Sequence, residues 1–176
     1  MRQYDFNHFI DDLETYAAAQ KSYAEFIRNA VRAMQLLLDN PNLLSNDYLK
    51  QAIQGFAKHK IYQCERYGFV ILSIIWAPGS QTSIHDHNTW SVGGIYQNQL
   101  KIVDYNTQKV IEPNIYDIVE RESHLAQKGA VAYVFPPYDE MQKFENISAE
   151  PSVSVHVYGK EIDEEKVFEL KHKNIR

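Results

Sequence analysis

At 176 residues the chain is long enough for one compact core, which at this length buries roughly two-thirds of the unfolded surface. Its 44% hydrophobic and 23% charged residues exclude a disordered or fibrous protein. A formal charge of -5 without any basic stripe excludes a nucleic-acid partner, because phosphate backbones are bound by concentrated Lys and Arg.

Residues 1–12 lack a basic-then-apolar layout, and the single cysteine, Cys64, allows no intrachain disulfide. A reducing cytoplasm is the expected setting. Phe6, Phe9, Ile10, Leu13 and Tyr16/Ala17 recur at helical spacing. After Ser22 the pattern returns in Ile27, Ala30, Val31, Met34 and Leu38, so two amphipathic helices are predicted to open the chain. Pro41 disfavours helical geometry in Asn40 and ends the second of them. Ser45, Asn46 and Asp47 offer the cap for a third, short helix to about Gly55.

Beyond Lys60 the texture changes to short runs rich in Val, Ile and Tyr, punctuated by Gly68, Pro78-Gly79, Gln97-Asn98, Pro113-Asn114, Gly129 and Pro136-Pro137. Strands are predicted at 61–65, 70–76, 82–87, 91–96, 100–105, 115–120, 130–135, 141–146 and 152–158. The run 69–77 is far short of the roughly 20 residues of a membrane helix and reads as a buried strand. Many short antiparallel strands suggest a sandwich or jelly-roll barrel. Residues 1–58 are thus expected to be helical and packed on a barrel formed by 60–160. Residues 161–176 are expected to be a charged tail with at most a short helical pattern. No linker or repeat divides the chain, which reads as a single domain over 1–176.

Within 82–87, His85 and His87 stand at i and i+2, which in a strand puts both imidazoles on one face, about 7 Å apart at Cα. They can converge on one ion, and neutral imidazole suits iron, nickel, copper or zinc. A bare pair of this kind also fits two solvent-facing residues on a half-buried strand. The last strand offers a second pattern: Val153, Val155 and Val157 share one face, and Ser154, His156 and Tyr158 share the other. The valine face needs a core, so the polar face lines either solvent or a site inside the barrel.

Gly79, five residues, His85, one residue and His87 resemble the first cupin motif, and Gly129 with Pro136, Gln142 and Asn146 resembles the second. Trp76-Ala77-Pro78-Gly79 leading into Ile84-His85-Asp86-His87, then Phe144-Glu145-Asn146-Ile147-Ser148 and residues 152–159, are similar to the cysteine dioxygenase family and its bacterial thiol dioxygenase branch. The likeness extends to Leu36-Leu37-Leu38-Asp39-Asn40-Pro41 and covers about 30–160. It implies a cupin double-stranded β-helix with N-terminal helices, holding Fe(II) on three histidines. It also implies oxidation of a small thiol to its sulfinate by dioxygen. By this resemblance Tyr158 positions substrate or oxygen, His156 orients Tyr158, and Ser154 fixes the tautomer of His156.

The chain departs from that pattern in two places. Gln142 stands where the family carries its third histidine; Glu140, two residues earlier on the same face, or no protein group at all, are the alternatives for the third ligand. The substrate-holding stretch corresponds to Tyr62-Gln63-Cys64, where Cys64 replaces the Arg or Gln that binds a carboxylate, and Arg66 on the same face is a substitute or merely solvated. The cysteine that animal members crosslink to the tyrosine corresponds to Val92, which implies an unmodified Tyr158. His124 is read as a surface residue in a connecting segment. The rival reading is a divergent cupin with a His/His/Gln site, serving as a binding or sensing module or catalysing a different metal-dependent reaction.

Overall fold

A computed structural model of the chain describes residues 3–19, 22–45, 54–112, 115–135, 141–161 and 166–168. The two predicted helices are present as α1 (Phe6–Ala18) and α2 (Tyr23–Leu38). Each begins on a side-chain cap: Asp5 accepts from the His8 amide at 3.1 Å, and Ser22 accepts from the Glu25 amide at 3.2 Å. Helix α2 ends where Pro41 requires it. There Asn40 is buried, donating to the Tyr4 carbonyl at 2.8 Å and accepting from the Asn42 amide at 2.9 Å.

Ten strands follow: β1 (Phe56–Gln63), β2 (Val70–Trp76), β3 (Ile84–Asp86), β4 (Ser91–Gln97), β5 (Gln99–Glu112), β6 (Ile115–Gln127), β7 (Val131–Val134), β8 (Met141–Glu145), β9 (Ser152–Tyr158) and β10 (Lys166–Phe168). They form two five-stranded antiparallel sheets, ordered β1-β2-β9-β4-β7 and β10-β3-β8-β5-β6. This is the jelly-roll arrangement of a cupin.

Three expectations need correction. Strand β1 begins at Phe56, so helical structure does not reach residue 58. The charged tail contributes a strand, β10, paired with β3, where a helical pattern was expected. His124 lies inside β6, not in a connecting segment, because β5 and β6 form a hairpin far longer than the predicted runs. The third expected helix falls largely on 46–53, outside the described residues.

All seven residues of β2 and of β9 are buried. Both strands are interior to their sheet and covered on both faces, which is why β2 reads as a continuous apolar run instead of an alternating one. On the outer face Ile71, Ile75, Val92, Val153, Val155 and Val157 pack with Phe9, Leu13, Phe26, Ala30 and Met34 of the helices. Helix α2 sits so close to β4 that a Cβ on Gly94 would lie 2.6 Å from Leu38 Cδ1. The inner face carries Val70, Leu72 and Tyr158 toward one end, and Ile74, Trp76, Ile95, Ile102 and Phe144 toward the other. The polar side chains of interest lie between these two apolar ends.

Candidate metal centre

His85 is on β3 and His87 is just beyond its end, where Asn88 takes a positive φ of 48° that turns the chain away. Both histidines are buried, at 2% and 8% exposure, and their ring centroids are 4.8 Å apart. The Ser83 carbonyl lies 2.9 Å from His85 Nδ1 and can only accept, so Nδ1 carries a proton and Nε2 is the nitrogen left to bind a metal. Neither ring nitrogen of His87 has a hydrogen-bond partner among the described residues. Burial, reinforced by His85, His156 and Lys58, lowers the His87 pKa to about 3, so the ring is neutral near pH 7. Two buried imidazoles facing each other, one without a hydrogen-bond partner at either nitrogen among the described residues, are chemically suited to a divalent metal.

The polar face of β9 meets this pair. The Tyr158 ring centroid is 4.6 Å from that of His87, and His156 stacks parallel to Tyr158 at 5.7 Å. The Trp76 indole donates to Ser154 Oγ at 2.9 Å, and the Ser154 hydroxyl lies 2.8 Å from His156 Nε2. The hydroxyl thus joins the indole and the imidazole through one oxygen, which accepts from the indole and shares one hydrogen bond with Nε2. Burial, with smaller contributions from Lys58 and His85, lowers the His156 pKa to about 3 and keeps this ring neutral also. Thus Ser154 and His156 are hydrogen-bonded, while His156 and Tyr158 are related by stacking. A cavity of about 10 Å³ lies among these rings, with Lys58, Thr82 and Trp76 in its wall.

Gln142 is the register partner of His85 across β3 and β8. Its side chain nevertheless lines a second, wide chamber instead of the small cavity between the histidines. Glu140 lies outside the described residues. His124 is exposed, as expected, and groups with Asp104 and Glu122 so that their ligand atoms lie within 4.8 Å of one another, a second cluster that the sequence reading did not contain.

Tyr62, Cys64 and Arg66 are not brought to the histidines. A bulge between Lys60 and Tyr62 shifts the register, so that Tyr62 pairs with Ile71 and takes the helix-facing side. The Tyr62 hydroxyl donates to Glu14 of α1, Cys64 is buried with Sγ 3.5 Å from the same carboxylate, and Arg66 lies over the Tyr67 ring at 5.2 Å. The same bulge pairs Gln63 with Val70, on the inner side. Lys58 was missed because β1 was started too late; the alternation Phe56, Lys58, Lys60 would have revealed it. Val92 is likewise on the helix side, and Ser91 is the residue opposite Tyr158. Asn146 is structural: fully buried, it donates to the Trp76 carbonyl at 3.0 Å and accepts from the Ser148 amide at 3.0 Å.

Two antiparallel sheets closed over inward-facing histidines make this protein a cupin, a class that includes many metal-dependent enzymes. A family model for cysteine dioxygenase type I matches residues 15–171, and the chain belongs to that family. Among solved structures, it resembles the cupin domain of an XRE family transcriptional regulator from Enterobacter cloacae at 17% identity, covering 60% of this chain and 96% of that one, with a TM-score of 0.43. An oxalate oxidase matches at 15% identity over 67% of this chain and 57% of its own, with a TM-score of 0.48. A cupin sugar phosphate isomerase from Silicibacter pomeroyi matches at 14% identity over 59% of each chain, with a TM-score of 0.45. These likenesses concern the fold. Among the described residues no helix is long and apolar enough to cross a membrane.

Proposed function

We propose that the chain is a non-haem Fe(II)-dependent dioxygenase that oxidises a small thiol, cysteine-like or a mercapto acid, to its sulfinate. The observation that carries this reading is the buried His87, without a hydrogen-bond partner at either nitrogen among the described residues, beside His85, whose Nδ1 is held by the Ser83 carbonyl. His85 and His87 are the proposed metal ligands, and Gln142, one strand away, is the third protein donor by a change of rotamer. Ferrous iron held there supplies the redox chemistry by which both atoms of dioxygen are added to sulfur. The conversion RSH + O2 to RSO2H conserves every atom, so no further reductant is required.

In this reading Tyr158 orients the substrate against His87, and Ser154 fixes the tautomer of His156, which braces the Tyr158 ring by stacking. Lys58 lies in the wall of the histidine cavity, where Tyr62, Cys64 and Arg66 were expected, and is the cation nearest the place a substrate carboxylate would take. The apolar residues at both ends of the lumen exclude water from the reacting groups. We take the chain as one domain working in the cytoplasm on a small molecule. The test is oxygen uptake by iron-loaded protein across a panel of thiols; silence on every thiol at full iron occupancy removes the proposal.

The orientation of Gln142 into the wide chamber favours a second reading, in which the altered His/His/Gln site serves binding or a different metal-dependent reaction. Elemental analysis of protein purified without added metal separates the two. Near-unit iron supports the dioxygenase, and absent iron supports the divergent cupin.

A further inference from the structure

Strand β7 lies at one end of its sheet, pairing with β4 along one edge and, among the described residues, with no strand along the other. Such an edge presents unpaired N–H and C=O groups, and folded proteins ordinarily protect it with charged residues, proline or a bulge. The other strands at sheet ends follow this rule: β1 carries Lys58 and Lys60, β6 carries Asp117, Glu120, Arg121 and Glu122, and β10 carries Lys166. Val131-Ala132-Tyr133-Val134 has no charge and no proline, and its pairing with β4 runs without a register shift. Ala132 and Tyr133 are exposed, the tyrosine at 61%. The open edge of β7 is therefore apolar and unprotected.

Helix α2 runs beside this edge. Tyr23, at its start, meets the Phe135 ring at 5.9 Å, just past the end of β7. Toward its other end, Met34 and Leu38 lie over Gly94, the register partner of Val131. Helix and strand thus lie side by side in opposite directions, and the outer part of the wide chamber, between them, is lined by Ile27, Val31, Val131, Arg28 and Arg32. Both arginines are exposed, and neither is in an ion pair among the described residues. No acidic residue of α2, β4 or β7 lines this space. Four residues of helix separate the arginines, which puts them on one face about 6 Å apart along the axis. Alternate residues of an extended strand also share a face, at a repeat of about 6.6 Å. The two spacings match. A strand added to β7 would lie about 4.8 Å out, within reach of both arginine side chains, and would bring its side chains at i and i+2 to Arg28 and Arg32.

From this arrangement we propose that β7 and α2 together dock an extended acidic segment of another protein, which adds a strand to the open edge and sets carboxylates at alternate positions against Arg28 and Arg32. Main-chain hydrogen bonds supply the affinity, and the arginines select the sequence. The site does not depend on iron or on thiol chemistry. Fluorescence anisotropy of the full-length protein with three labelled peptides tests it: Thr-Glu-Val-Glu-Val-Thr, its isomer with adjacent carboxylates Thr-Glu-Glu-Val-Val-Thr, and the neutral Thr-Gln-Val-Gln-Val-Thr. The first should bind at least tenfold more tightly than either of the others, and amide hydrogen exchange at 131–134 should slow when it is bound. The Arg28→Gln/Arg32→Gln pair should abolish that preference and leave the affinity for the neutral peptide unchanged. Equal affinity for alternate and adjacent carboxylates, indifference to the arginine substitutions, binding without protection of 131–134, or no binding up to millimolar concentration would overturn the proposal. Self-association that protects 131–134 without any peptide would also overturn it, by making the occupant a second copy of this chain. The three-peptide comparison uses the unaltered protein, so it stands even if a variant misfolds.

Discussion

Replacing Ser154 by Ala removes one oxygen that serves two buried partners. The Trp76 indole N–H, in a residue at 2% exposure, loses its acceptor, and His156 Nε2 loses its hydrogen-bond partner. The vacated space is that of a single hydroxyl, too small for a replacement water. A buried polar group left unsatisfied costs about 1–3 kcal/mol, and the imidazole recovers part of this by exchanging tautomers, so the expected loss is about 2–4 kcal/mol. For a chain of this size that corresponds to a fall in Tm of roughly 4–16 °C. Urea unfolding should show a lower midpoint with an unchanged slope. As a control, Ser148→Ala, whose hydroxyl makes only a 3.5 Å contact with Asn98, should change stability by less than about 0.5 kcal/mol. If Ser154→Ala is within that same margin of the native protein, the account of a hydrogen-bonded Trp76, Ser154 and His156 chain is wrong.

Other consequences follow from the same geometry. Gly93→Ala drives a Cβ into the His156 ring, 2.8 Å from Nδ1 and 3.1 Å from Cε1, and should cost about 1–3 kcal/mol by overpacking. Gly94→Ala meets Leu38 Cδ1 at 2.6 Å and Met34 Cγ at 3.0 Å, aliphatic groups that re-orient more readily than an imidazole held by Ser154, and should cost less; denaturation midpoints in the reverse order contradict the packing described. The metal-free protein should lose stability as pH falls. His87 and His156 stay neutral down to about 3 when folded, whereas the unfolded chain takes up protons near 6.5. Between those values the unfolded state binds more protons, so stability rises with pH across the window, by a few kcal/mol for each ring. A flat unfolding midpoint from pH 6.5 to 4 would refute this. Gln142→His, placing imidazole opposite His85, should tighten ferrous-iron binding by at least about tenfold in competition with a chelator, because imidazole is a stronger donor than an amide oxygen.

The fold was largely legible because its signals are local and periodic. The i, i+3 and i+4 apolar residues of α1 and α2, their Asp5 and Ser22 caps, and Pro41 mark both helices. The valine alternation of β9 sorted its two faces correctly: the valines meet the helices, and Ser154, His156 and Tyr158 turn inward. What escaped was set by partners distant in sequence. Strand β10 exists through its pairing with β3, more than 75 residues away in sequence, so its charged composition gave no sign of it. The bulge at Lys60/Tyr62 is visible only once β1 is laid against β2, and it reverses the faces of Tyr62 and Gln63. That one-residue shift is why Tyr62 and Cys64 meet Glu14 of α1 while Lys58 lies by the histidines.

His85 and His87 are the proposed holders of the metal. Anaerobic equilibrium dialysis against ferrous iron, with bound metal counted by elemental analysis, tests it directly on the native protein, His87→Ala and Asp104→Asn. About one iron per native chain is expected, with at least tenfold weaker binding in His87→Ala and no change in Asp104→Asn. Iron retained by His87→Ala but lost from Asp104→Asn would place the metal at the Asp104, Glu122 and His124 cluster and contradict the claim.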